Sequence, residues 1–71
     1  MDNFIEQIAE ILEVDTVTTN DVLTEFEAWD SLAVLSIIAL ADEYYGVTLS
    51  AAEVRNAKTV GGVKDIIESK K

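Results

Sequence analysis

The chain has no cysteine, no histidine and no proline. Without cysteine there is no disulfide to brace the fold, no thiol nucleophile and no soft metal ligand. Without histidine the usual general base at neutral pH is missing. Without proline, turns fall to Gly, Asn, Asp and Ser. Basic residues are scarce: five against fourteen acids, a net charge of −9. That balance repels phosphate backbones and anionic membranes, which argues against nucleic-acid and membrane partners, and it favours docking on basic protein surfaces. Long apolar runs are lacking as well, and none approaches a membrane span. The opening MDNFIEQ has no basic stretch followed by an apolar core, so it does not read as a signal peptide. The expectation is a cytoplasmic monomer. Seventy-one residues make one domain, 1–71, whose thin core supplies about 3–5 kcal/mol of net stability.

What is present reads as helix. Phe4, Ile5, Ile8, Ile11 and Leu12 recur at helical spacing, with Glu6, Gln7, Glu10 and Glu13 on the other face. A helix over 3–13 is predicted, and Asn3 with Glu6 matches a capping box. Residues 14–30 show no clean period. A loop this long in a small domain needs pins, and Val17, Val22, Leu23, Phe26 and Trp29 are the candidates. One turn of helix is predicted around 21–26, capped by Asn20 or Asp21. Residues 31–45 form the strongest helix. Leu32, Leu35, Ile38 and Tyr45 line one stripe, and Val34, Ile37, Leu40, Ala41 and Tyr44 widen it well beyond the roughly 100° a surface helix needs. Either this helix is touched on several sides or part of its apolar surface faces a partner. Gly46 is a natural stop. Ser50 with Glu53 matches a capping box for a short helix to about Ala57. Thr59 caps a last helix with Val60, Val63, Ile66 and Ile67 inward. Gly61 and Gly62 in its first turn imply a close backbone approach, most simply to the long helix. Lys70 and Lys71 suit the negative end of its dipole. The class is all-α: a small four-helix bundle of three main helices and one short one, with a long loop between the first two.

Asp30-Ser31-Leu32 opens the most hydrophobic segment. Asp30 is a good N-cap, which puts Ser31 in the first turn, beside unpaired N–H groups and the positive end of the dipole. An anion on that hydroxyl is favoured there. Asp30 also offers a hard oxygen ligand to a magnesium ion delivered with a phosphate donor, and Leu32 is expected to turn inward and anchor the helix start. Val34, Leu35, Ile37 and Ile38 cannot all be core, so at least one of Val34 and Ile37 is expected to meet a partner or a bound apolar chain, and periodicity alone does not say which. Glu25, Glu27 and Asp30 lack the ordered spacing of a calcium loop, and no resident metal is expected.

The stretch WDSLAVLSIIALADEYYGVTLSAAEV…KTVGGVKDII resembles the acyl carrier proteins across essentially the whole chain. The Asp-Ser-Leu motif, the aromatic pair before a glycine, the short capped helix and the TVGGV start of the last helix carry the likeness. The resemblance implies a four-helix bundle of the acyl-carrier type. It implies that Ser31 carries phosphopantetheine, transferred from coenzyme A by a magnesium-dependent phosphopantetheinyl transferase, magnesium being present only transiently. The terminal thiol of that arm would hold an acyl or aminoacyl group as a thioester and present it to loading and consuming enzymes, the chain itself catalysing nothing. The absent cysteine and histidine are compatible with this. Fatty-acid-type members usually have acids directly after the motif and one turn later; here those positions are Ala33 and Ser36, and acids return only at Asp42 and Glu43. Ala28-Trp29 stands where a glycine often precedes the motif. These departures favour a specialised discrete carrier, with Val34, Ile37, Asp42 and Glu43 as candidate partner-binding residues. The alternative is an unmodified helical interaction module that docks through its apolar second helix.

Overall fold

The computed structural model describes residues 3–70. It is all-helical: α1 (Phe4–Ile11), a single 3-10 turn (Leu23–Glu25), α2 (Ser31–Tyr45), α3 (Ala51–Ala57) and α4 (Val60–Lys70). α1 packs on α2 and α4, and α3 packs on the same two helices. Among the described residues the only β-type pairing is an isolated antiparallel bridge between Val22 and Thr59. The core is apolar throughout, with no buried polar or charged side chain among the described residues. Its largest fully buried members come from every helix and the loop: Phe4, Ile8, Leu12, Leu23, Ile37, Val54, Val60, Val63 and Ile67.

Of the predicted stripe, α1 buries Phe4 and Ile8, and Leu12 is buried just past its end; Ile5 and Ile11 are only partly buried, and Ala9 joins the buried face. The predicted Asn3–Glu6 capping box does not form. Asn3 has φ −99° and ψ 3°, and its side chain makes no cap hydrogen bond. Capping needs extended backbone to aim the side chain at the first-turn N–H groups; here only the Asn3 carbonyl is used, accepting from Gln7 N–H at 2.9 Å.

The long loop is pinned chiefly by its backbone. Leu23 N–H donates to the Lys58 carbonyl at 2.9 Å, Val60 N–H to Asp21 at 3.1 Å and Gly61 N–H to Thr19 at 2.9 Å. Val17 and Leu23 are buried, and Phe26 and Trp29 pack against the core edge. Val22 is exposed, so of the predicted pins it acts through main-chain pairing alone. Neither Asn20 nor Asp21 caps the 3-10 turn; Val22 occupies that position. The Asp21 carboxylate instead accepts from Thr18 N–H at 2.8 Å.

These bonds explain the glycine pair. A Cβ on Gly61 would lie 2.9 Å from the Thr19 carbonyl oxygen, and one on Gly62 would collide with the Ala57 carbonyl. The close approach is therefore to the loop and the end of α3, not to α2 as the sequence suggests. Thr59 caps α4 as predicted, its hydroxyl accepting from Gly62 N–H at 3.0 Å. Gly46 ends α2 at φ 64°.

The Ser50–Glu53 capping box is complete: Glu53 N–H reaches Ser50 Oγ at 3.1 Å, and Ser50 N–H reaches Glu53 Oε1 at 2.9 Å. Lys70 does more than complement a dipole. Its Nζ lies 2.9 Å from Glu53 Oε2 and donates to the Thr48 carbonyl at 3.2 Å. The Lys70 hydrogen bond, helped by the Ser50 N–H, holds the Glu53 carboxyl below the ordinary carboxylate range. Any stability from this depressed value is present above the unfolded-state pKa and is lost as pH falls through the folded-state one.

Two outcomes follow. Gly62→Ala should lower stability by about 1–3 kcal/mol through overpacking, read as a lower urea midpoint at unchanged slope; an unchanged midpoint would show a looser junction. In an NMR titration the Glu53 carboxyl should have its midpoint below the ordinary range, and Lys70→Met should move it up toward that range. A Glu53 midpoint that the variant leaves in place would contradict the contact.

Candidate functional site

α2 begins where the sequence places its cap. Asp30 is extended (φ −152°, ψ −170°) and its Oδ1 accepts from Ala33 N–H at 3.0 Å. Its carbonyl accepts from Val34 N–H at 3.1 Å. The carboxylate thus satisfies one of the four N–H groups that a helix start leaves open. Among the described residues, the N–H groups of Ser31 and Leu32 find no acceptor. No acid lies in the first turn, so the positive end of the dipole is not neutralised from within it.

Ser31 is the first helical residue and is exposed, and its hydroxyl is engaged by no other described residue. Trp29, two residues upstream, packs against the core edge, and its N–H donates to the Phe26 carbonyl at 3.1 Å. The approach to the helix start is thereby fixed on both sides of Ser31: by a packed indole before it and a carboxylate cap across it.

The roll of α2 about its axis differs from the sequence expectation. Its buried residues are Ala33, Val34, Ile37, Leu40 and Ala41. Leu32 is 71% exposed and Leu35 58% exposed. Leu32 therefore does not turn inward as an anchor. Val34, 4% exposed, and Ile37, 0% exposed, lie in the core, which removes both from the partner-facing set. Two apolar stripes compete in this segment, and apolarity alone does not rank them. The buried stripe has a small residue at each end, Ala33 and Ala41, where neighbouring backbone can come close. The outward stripe contains Ser36 and Glu43, both exposed and seven residues apart. That polar pair, two turns apart on one face, is the signal that identifies the solvent side.

Asp42 and Glu43 are exposed near the far end of the same helix. Tyr44 is exposed, whereas Tyr45 packs at the core edge, its ring centroid 6.3 Å from that of Phe4. The outer face of α2 thus presents a free hydroxyl at its tip, then Leu32, Leu35, Ser36 and Ala39, then two carboxylates. Chemically this is a handle with a greasy collar. A bulky anion esterified to Ser31 Oγ would project into solvent beside two open N–H donors, and nothing in the fold would have to move to admit it. Among the described residues there is no group of three or more carboxylates placed to hold a metal ion, and no helix is long and apolar enough to cross a membrane.

A family model described as "Phosphopantetheine attachment site" matches residues 2–67. The chain is also 38% identical over 66 residues to an acyl carrier protein of Acidothermus cellulolyticus (strain ATCC 43068 / DSM 8971 / 11B), with 84% of this chain and 79% of that protein covered. No solved structure matches it significantly.

One outcome tests the cap. Asp30→Ala should cost about 0.5–2 kcal/mol and Asp30→Asn much less, because asparagine caps almost equally well. Urea denaturation of the two variants separates these; equal losses would mean the carboxylate is needed for something other than capping.

Proposed function

Given that the chain belongs to the phosphopantetheine-attachment family of acyl carrier proteins, we propose that Ser31 is its attachment residue. The chain is a carrier that holds its cargo on a covalently bound phosphopantetheine arm. When bound, that arm supplies the thiol on which the cargo rides as a thioester. The observation that carries the assignment is the exposed Ser31 hydroxyl at the positive end of α2, free of other hydrogen bonds among the described residues. The phosphodiester would be favoured by the Ser31 and Leu32 N–H groups and by the dipole, an effect of about 0.3–1 kcal/mol at an exposed site.

Asp30 has two tasks that do not conflict. Oδ1 caps the helix, and the other oxygen is available to a magnesium ion carried by the transferase. The transfer from coenzyme A needs that separate enzyme, because this chain has no histidine to deprotonate Ser31. Lys64 is paired with Glu68 on its own helix at 3.8 Å. We assign the chain no catalysis of its own.

Acyl-handling enzymes and the transferase must approach Ser31, and whatever covers it also meets Leu32 and Leu35. These two, rather than Val34 and Ile37, are our docking residues, with Asp42 and Glu43 at the rim. Docking through an apolar collar suits a specialised carrier with dedicated partners better than one recognised mainly by charge.

Incubation with coenzyme A and a broad-specificity phosphopantetheinyl transferase should raise the intact mass by one arm, and Ser31→Ala should abolish the gain. An unchanged wild-type mass would overturn the assignment. Leu35→Asp should raise the transferase KM about ten-fold by placing an unpaired charge in the contact, while added salt should change the wild-type KM little. A steep salt dependence with no effect of Leu35→Asp would instead mark charge-led docking.

A further inference from the structure

Ser31 has an aromatic neighbour on its own side of the chain. Asp30 is extended, with φ −152° and ψ −170°. In an extended segment successive side chains alternate, so the two that flank a residue leave the chain together, roughly 7 Å apart. Asp30 turns its carboxylate back to the Ala33 N–H. Trp29 and Ser31, which flank it, therefore share the other side. Trp29 is the chain's one tryptophan. It is partly buried and packs against the core, and its backbone N–H donates to the Phe26 carbonyl at 3.1 Å. Its indole N–H has no acceptor among the described residues, and none of their buried side-chain nitrogens lacks a partner, so this edge of the ring lies at the surface. A ring with one part on the core and its polar edge in water is suited to a contact that is apolar at one end and wet at the other.

We propose that Trp29 is a binding residue for the arm: the open part of its indole is a shelf on which the first segment of phosphopantetheine, next to the phosphodiester, leans. This rests on Ser31 being the attachment residue. That segment carries a carbon with two methyl groups, followed by amides. The methyls suit the ring face, and an amide carbonyl suits the indole N–H. Leu35, one turn along α2 from Ser31, is the competing apolar support. It is 58% exposed and has rotamer freedom to lose, whereas the indole is already held by the core and by its backbone bond. Ordering costs are lower on a group that is fixed beforehand, which favours the ring over the leucine. An arm that leans back on Trp29 also leaves Leu32 and Leu35 open to partner enzymes. A tryptophan that only pinned the loop would not sense the arm at all.

The test uses the full chain before and after loading with coenzyme A and a broad-specificity transferase. Intact mass first reports whether the arm is attached, with Ser31→Ala as the control. Proton NMR of the loaded chain then reads the arm's paired methyl resonances. They should lie upfield of their position in free phosphopantetheine, because they sit over the ring, and should show Overhauser contacts to the indole protons. Trp29→Leu should return them to the free position, and Trp29→Phe, which keeps a ring, should retain part of the shift. The wild-type spectrum is decisive even where a variant folds poorly. A loaded arm whose methyls match the free cofactor, or contact Leu35 instead of the indole, would overturn the shelf and leave the attachment site standing. No gain in mass would overturn both.

Discussion

The hydrogen bond from Ala33 N–H to the Asp30 carboxylate is where this structure is decided. It starts α2 at the motif serine and fixes the phase of the helix. Burial of Ala33, Val34, Ile37, Leu40 and Ala41 then fixes its roll. Once both are set, the hydroxyl of Ser31 has nowhere to be but outside, with Leu32 and Leu35 beside it. A roll of about half a turn would bury the leucines and expose Val34 and Ile37. The collar around the attachment point would then be a different surface.

A second constraint keeps α2 in place by holding the rest together. The loop joining α1 to α2 has little helix of its own, yet its main chain is tied to the α3–α4 junction through Thr19, Asp21 and Leu23. That seam demands glycine at 61 and 62, for different neighbours. A core with no buried polar side chain among the described residues relies on shape, so the positional specificity of this small bundle comes from its edges: caps, glycine contacts and loop bonds.

The legible parts of the fold are those where one residue type has one local job. Asp30, Ser50 with Glu53, Thr59 and Gly46 mark helix ends, and each does so in the structure. The stripe of α1 was readable because its other face is acidic. The roll of α2 was not, because it offers two apolar stripes; only Ser36 and Glu43, read as a pair, distinguish them. Asn3 has the right residue type but the wrong backbone, a property set by chain direction and invisible to a motif. The glycines announced a close approach without naming the neighbour, since that neighbour comes from a loop without periodicity. Lys70 was readable as a dipole partner, but its reach to Glu53 and Thr48 depends on how α4 crosses α3. At the site, the tripeptide pointed to the helix start, while the faces taken by Leu32, Val34 and Ile37 had to be seen.

Charge is distributed as unevenly as apolarity. All five bases lie at or after Arg55, where only Asp65 and Glu68 of the fourteen acids are found. The serine therefore stands in the acidic part of the chain, and its immediate collar is apolar. The most direct measurement of the central claim is fragment-ion localisation of the arm after loading with coenzyme A and a transferase. The chain has four serines, Ser31, Ser36, Ser50 and Ser69, and the account requires every modified fragment to contain Ser31. Modification at Ser36, also exposed on α2, or at Ser50, would contradict it.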